Sequence, residues 1–319
     1  MARRADGANR LDDAARAGWL YYVAGRTQDE IAQTMGISRQ SAQRLVSLAM
    51  SERLIKVRLD HPIAACLELG RALKDKYGLR QVEVVPSDPS SSSTTVGIAE
   101  AGAAEIERWL KSADPIIMAI GTGRTLKAAI DQLPAINCPQ HRIVSLTGSI
   151  GVDGSAAVYN VIFSMADAVN ARHFPMPLPV LVSSAQERDV LHNQLLVQSA
   201  LSLGTQADVA FVGIGELGLD APLCIDGFLA RDEMARLLDE GAAGEICGWM
   251  FDQDGTLLGD EINGRVASVP LPSREKATVI GIAKGQRKRK ALKAALAGGL
   301  LNGVITDELT AEHLLASSA

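Results

Sequence analysis

The sequence predicts an α/β protein: an N-terminal helix-turn-helix domain over residues 1–60, then a doubly wound, mainly parallel-sheet domain over residues 61–319. Three observations carry that expectation. At 319 residues the chain exceeds what one ordinary core holds. Residues 10–55 are helically periodic almost throughout, whereas the remainder alternates apolar strands with amphipathic helices. Strands that are apolar on both faces belong in a parallel sheet covered by helices on each side. The composition agrees, with 47% apolar but only 4% aromatic residues, as an interior of Ala, Val, Ile and Leu requires.

Taken in order, RLDDAARAGWLYYVAG places Leu11, Ala14, Ala15, Gly18, Trp19 and Tyr22 on one side of a first helix. Thr27 is the expected N-cap of the next helix, with Glu30 completing a capping box, and Ser38 caps the third. RLIKVRLD (53–60) alternates like a short strand, and His61-Pro62 marks the domain boundary. A helix from Ile63 to Tyr77 closes at Gly78, the strand VEVVP follows, and SDPSSSSTT (87–95) is a polar loop. PIIMAI (115–120), HRIVSLTG (141–148), ADVAFVGIG (207–215), ATVIGIA (277–283) and a shorter ITDE are the further strands. Arg172–Pro179 reads as a rigid connection over the sheet. No internal repeat is visible.

Charge separates the two parts. The net charge of −5 argues against nucleic acid when taken over the whole chain. Residues 1–60, however, hold ten Lys and Arg against seven Asp and Glu, while the remainder holds 22 against 30. A basic head on an acidic body suits a DNA reader joined to a domain with another task. Cys66, Cys138, Cys224 and Cys247 form no CxxC pair, and the five histidines lack metal spacing, so neither a disulfide framework, a metal site nor a cofactor is expected. No nucleophile motif gives a catalytic centre. No apolar run reaches 18 residues, and MARRADGANRLDD has no apolar stretch after its charges. The expected location is cytoplasmic, without membrane contact.

QDEIAQTMGISRQSAQRLVS (28–47) is the most specific segment. Two crossing helices need a small residue at the crossing, Ala32, and a left-handed turn four positions later, Gly36. Ile31, Met35, Ile37, Ala42 and Leu45 plug the crossing. The third helix then turns Arg39, Gln40, Ser41, Gln43 and Arg44 outward. Arg and Gln suit paired hydrogen bonds to guanine and adenine edges. Arg39, Gln40 and Gln43 are therefore assigned to bases, and Ser41 and Arg44 to the backbone, with Thr27, Gln28 and Ser38 beside them. A helical hairpin with a merely solvated polar face is the plainer alternative.

In PIIMAIGTGRTLKAAIDQL, a strand runs into the GTGRT loop and a helix. Gly121 and Gly123 permit a tight turn whose amides face an anion, Thr122 and Thr125 add hydroxyls, and Arg124 adds charge. An ordinary strand-to-helix turn is the alternative. GIGELG (213–218) formally matches GxGxxG, yet Pro222 follows too soon for a dinucleotide-binding helix, so it reads as a loop and no NAD is expected. Polar residues past the other strands are Thr147, Ser149, Glu245, Lys284, Lys288, Thr306, Asp307 and Glu308.

WLYYVAGRTQDEIAQTMGISRQSAQRLV, AIGTGRTL, SLTGSIG, FPMPLP, VGIG, GEICGWMFDQDG and AALAGGLLNGVITDELTAEHLL, in this order, resemble the SorC family of sugar-binding transcriptional regulators. The resemblance covers about Ala17 to Leu315. It implies an effector and oligomerisation domain similar to sugar-phosphate isomerases and deaminases. It also implies homotetramers on palindromic operator DNA and control by a phosphorylated sugar or polyol. By position, the GTGRT loop would hold the effector phosphate, Glu245 would bind its hydroxyls, Lys288 matches the family's lysine, and Asp307 lies in the matching TDE. Ala283-Lys284-Gly285 departs from the two glycines of many members. The rival is a sugar-phosphate isomerase- or deaminase-like enzyme with Asp307 or Glu308 as general base.

Overall fold

The computed structural model describes residues 2–52, 54–56, 63–91, 93–151 and 153–316. The chain forms two compact units, Met1–His61 and Pro62–Ala319.

In the first unit, α1 (Ala2–Tyr22), α2 (Gln28–Met35) and α3 (Arg39–Ser51) surround a small core. Ala17, Ile31, Ala32, Ala42 and Val46 are buried there, with Leu20, Met35, Ile37 and Leu45 packed against them. Thr27 and Glu30 close the expected capping box at the start of α2. Gly36 ends it in the left-handed conformation, at φ 67° and ψ 33°, which a Cβ would oppose. The buried face of α1 differs from the sequence expectation. Trp19 and Tyr22 are 52% and 41% exposed, and Leu11 is exposed too. Packing explains this, because a Cβ on Gly18 would stand 2.8 Å from that of Ala49. So close an approach admits Ala14, Ala17 and Gly18 and turns the large rings outward. Leu54–Lys56 form no strand, and the rest of the expected strand at 53–60 lies outside the described residues.

The second unit begins with α4 (Ala64–Tyr77), β1 (Gln81–Val85), α5 (Ile98–Leu110), β2 (Ile117–Ile120), α6 (Arg124–Ile130) and β3 (Ile136–Gly148). It continues through α7 (Val161–Ala168), β4 (Val169–Met176), α8 (Ala185–His192), α9 (Leu195–Thr205), β5 (Val209–Gly213) and β6 (Gly215–Glu216). Then come α10 (Pro222–Ile225), α11 (Arg231–Asp239), β7 (Ala242–Ile246), β8 (Trp249–Asp252) and α12 (Asp260–Asn263). β9 (Thr278–Ile282), α13 (Arg289–Ala297), β10 (Gly303–Asp307) and α14 (Glu308–Ala316) complete it.

Seven strands form a sheet in the order β1-β10-β9-β5-β2-β3-β4, parallel throughout. Alternation along the strands fills two cores. Met118, Ile120, Val209, Phe211, Ile280 and Ile282 point towards α5, α6 and α7. Ala119, Ala210, Val212 and Val279 point towards α4, α9, α13 and α14. From β2 the chain winds outward to β3 and β4, whereas from β5 it winds the other way to β9 and β10. The crevice at the carboxyl ends of β2 and β5 is thus a topological switch point, where open α/β sheets collect ligands. No helix among the described residues is long and apolar enough to cross a membrane.

Two expectations need correction. Arg172–Met176 is part of β4, not a connection; β4 lies at the sheet edge, where Pro175 costs no ladder hydrogen bond. GIGELG is not simply a loop, since Gly215–Glu216 joins β7 and β8 in a small antiparallel sheet. Pro222 then opens a short helix at its first turn, where no donor is missed.

Candidate functional site

Two surfaces collect the residues singled out in the sequence. On the first unit, Ser38 caps α3 by accepting the Ser41 amide at 3.1 Å, and the two hydroxyls lie 2.9 Å apart. The cap fixes where α3 starts, so Arg39, Gln40, Gln43 and Arg44 are exposed and Ser41 is half-buried. Arg39 has a loose ion pair with Asp29 at 3.5 Å. Thr27 is occupied with Glu30, whose carboxyl the Thr27 amide and hydroxyl hold below the usual range. Beside α3 runs an open groove lined by Tyr21, Tyr22, Gln28, Gln43, Ser47 and Met50.

The second surface is the carboxyl edge of the large sheet. Gly121 and Gly123 lead from β2 into α6, and Gly123 takes φ 115°. Thr122 donates its hydroxyl to the Tyr159 carbonyl at 2.7 Å, Arg124 is exposed and Thr125 half-buried. Thr147 is buried near the end of β3, and Ser149 donates to the Met176 carbonyl at 2.9 Å. The small sheet covers this edge. Cys247 lies in the β7–β8 turn with φ 55°, and a Cβ on Gly121 would touch its sulfur at 3.0 Å. Burial pushes the Cys247 thiol up to about 12, against the opposing Thr147 hydroxyl.

Glu245 stands within β7, not beyond a strand end. It accepts the Gly248 amide at 2.7 Å, while burial raises its carboxyl above the ordinary range. Its room comes from Gly215, where a Cβ would fall 1.8 Å from Glu245 Oε1. Lys288 reaches Glu216 at 2.5 Å and the Ile214 carbonyl at 2.5 Å. Burial disfavours charge on Glu216, yet Lys288, with Arg287 beyond it, holds the carboxyl below the usual range. Lys284 is buried and donates to the Val96 carbonyl at 2.8 Å.

The rival catalytic bases are spent on structure. Asp307 accepts the Thr310 amide at 3.1 Å, as the cap of α14. Glu308 accepts the Ser87 amide at 2.9 Å, and the Ser87 hydroxyl accepts the Leu309 amide at 3.0 Å. This double clasp ties the end of β1 to the start of α14.

Residues 61–316 match the family model described as "Putative sugar-binding domain". The chain belongs to this sugar-binding family. The SorC resemblance extends to whole proteins within it. The chain is 32% identical over 302 residues to the erythritol catabolism regulatory protein EryD of Brucella abortus, covering 95% of this chain and 96% of that one. It is 30% identical over 310 residues to the transcriptional regulator LsrR of an Enterobacter species, covering 95% and 92%. The full-length sorbitol operon regulator SorC of Klebsiella pneumoniae superposes with a TM-score of 0.69 at 25% identity, covering 95% of this chain and 97% of that one. These similar proteins are transcriptional regulators, and with them the regulator reading prevails over the isomerase- or deaminase-like enzyme.

Within this family member, the edge brings together the GTGRT loop, Thr147 and Glu245. Ser149 is turned to the Met176 carbonyl, Asp307 caps α14, and Glu308 is turned to the Ser87 amide. Sequence reasoning missed Gly215, Glu216 and Cys247 at the edge, and Tyr22 and Ser47 on the groove beside α3. GIGELG contained the signal for the first two, had its glycines been weighed for close approach as well as for a dinucleotide loop.

Proposed function

We propose that this chain is a DNA-binding regulator of a carbohydrate or polyol catabolic operon, controlled by a phosphorylated sugar or polyol. α3 enters the major groove of a palindromic operator. Arg39, Gln40 and Gln43 read base edges, while Thr27, Gln28, Ser38, Ser41 and Arg44 line the backbone. The effector lies at the switch point, its phosphate on Gly121–Thr125 and its hydroxyls towards Glu245, with Thr147, Ser149, Lys288, Asp307 and Glu308 forming the surround. Homotetramers in the cytoplasm complete the reading.

The observation that carries it is α3 itself. A left-handed Gly36 and the capping Ser38 launch a helix whose Arg39, Gln40, Gln43 and Arg44 face solvent. A helix packed inward could not read a groove. Arg39→Ala combined with Gln43→Ala is expected to abolish operator binding in gel shifts and to leave effector binding by calorimetry unchanged. Undiminished DNA affinity in this double variant refutes the placement of the reading helix.

A further inference from the structure

Two lysines follow β9, and their surroundings differ. Lys288 has the Glu216 carboxylate and the Ile214 carbonyl, each at 2.5 Å. Lys284 is only 7% exposed, yet among the described residues its ammonium donates to a single neutral acceptor, the Val96 carbonyl at 2.8 Å. Among the described residues no carboxylate reaches ion-pair distance of it; Asp88, on the exposed serine-rich loop, senses its charge from further away. An ammonium carries three donors and a full charge, so one carbonyl leaves most of its capacity unanswered. Burying a charge without a counter-charge is costly. Such a group persists where a ligand completes it.

Its hydrogen bond gives its direction. Ile280 and Ile282 point into the core beneath α5 and α6, and Ala283 points into the opposite one. Lys284 lies two residues past the end of β9, and its bond to Val96, just before α5, places it on the α5 side. A Cβ on Gly102 of α5 would stand 2.9 Å from Ile282 Cδ1 and 3.2 Å from Ala129 Cβ of α6. Both helices thus run side by side across the end of β9, and both begin at the carboxyl edge. The GTGRT loop is the beginning of α6. Lys288 opens on the other face, since α13 after it packs in the opposite core.

The geometry points to Lys284 as the cation that meets the effector's phosphate beside the GTGRT loop, with Lys288 instead positioning Glu216 towards the effector's hydroxyls. This rests on the reading of the carboxyl edge as the effector site. Phosphate supplies several acceptors and a counter-charge to the two donors that Lys284 does not spend on Val96. Lys284 thereby acts as a specificity residue for phosphorylated over unphosphorylated ligands.

Thermal shift of the full chain with inorganic phosphate, at constant ionic strength, tests this in the wild type and in Lys284→Met, Lys284→Arg and Lys288→Met. Phosphate is expected to raise the wild-type Tm, because it binds the folded state. Lys284→Met is expected to melt at or above the wild type without phosphate, since a buried ammonium is gone, and to lose at least about tenfold in phosphate affinity. Lys284→Arg keeps the response, and Lys288→Met loses less of it than Lys284→Met does. A wild-type response in Lys284→Met overturns the inference. So does a loss confined to Lys288→Met, which moves the anion to that lysine and leaves the effector reading intact. A wild type indifferent to inorganic phosphate also overturns it; if sugar or polyol phosphates still shift that Tm, the effector reading survives alone.

Discussion

The proposed reading helix and the sheet edge hold their polar groups in opposite ways. On α3, Gln40, Gln43 and Arg44 meet solvent, and the Arg39–Asp29 pair joins side chains that are 69% and 67% exposed. A pair so exposed contributes little, so exchanging Asp29 for a phosphate or a base edge costs little. At the sheet edge most groups already have partners: Thr122 with Tyr159, Ser149 with Met176, Glu245 with Gly248, Lys288 with Glu216, Asp307 with Thr310. A ligand there gains only the difference between new partners and old ones. On the proposed function, α3 would meet DNA with side chains that are already free, and the edge would exchange old partners for new ones when an effector binds. Lys284, buried with one neutral acceptor among the described residues, is an exception at the edge.

The comparison breaks most visibly if the edge is forced open. Gly215→Ala places a methyl 1.8 Å from Glu245 Oε1, so the carboxylate must leave the Gly248 amide or β6 must move away from β7. A cost of about 1–3 kcal/mol is expected from such overpacking. Denaturant unfolding of the second unit measures the loss, and calorimetry is expected to show weaker effector binding. Operator binding without effector stays at the wild-type level, because the substitution touches nothing on α3. Wild-type effector affinity in this variant would show that Glu245 does not belong to the site.

Glu245 sharpens the contrast through pH. Burial raises its carboxyl above the ordinary 4.5, so the folded chain holds this proton more firmly than the unfolded one. Between pH 4.5 and the raised value, stability therefore falls as pH rises. Glu245→Gln keeps an oxygen for the Gly248 amide and removes the charge. The variant is expected to be more stable than the wild type at neutral pH and to lose this slope, as read from urea midpoints across the range. Arg39→Gln, which leaves Glu245 in place, is expected to keep the wild-type slope. An unchanged slope in Glu245→Gln assigns it to another group.

What could be read from the sequence follows the same division. The helix-turn-helix was legible because its rules are local: Thr27 with Glu30, Ala32 with Gly36, and Ser38 before Arg39 are all fixed within a few residues. The fully apolar strands gave the parallel sheet, and GTGRT gave the loop after β2. Edge strand β4 was missed because Pro175 and Arg172 look unlike a buried strand, and an edge tolerates both. Trp19 and Tyr22 were misplaced because helical periodicity says which residues share a face, not how closely the next helix approaches. The partners of Lys284, Lys288 and Glu245 could not be read at all. Val96 is 188 residues from Lys284, and Gly215 is brought to Glu245 only by the pairing of β6 with β7.

The smallest expected effect tests the α3 side. Ser38 is both the cap of α3 and a proposed backbone contact, and its hydroxyl already serves the Ser41 amide. Ser38→Ala is expected to cost about 1 kcal/mol of stability in the first unit, the ordinary worth of an N-cap. Asn and Asp cap as well as Ser, so Ser38→Asn and Ser38→Asp recover that stability. They separate on the operator. If the hydroxyl faces a DNA phosphate, Asp brings like charges together and operator affinity falls, with the steepest fall at low salt. Asn, being neutral, keeps most of the affinity. Equal gel-shift affinities for Ser38→Asn and Ser38→Asp at low salt would mean that Ser38 only launches the helix, and that the backbone contacts begin at Ser41 and Arg44.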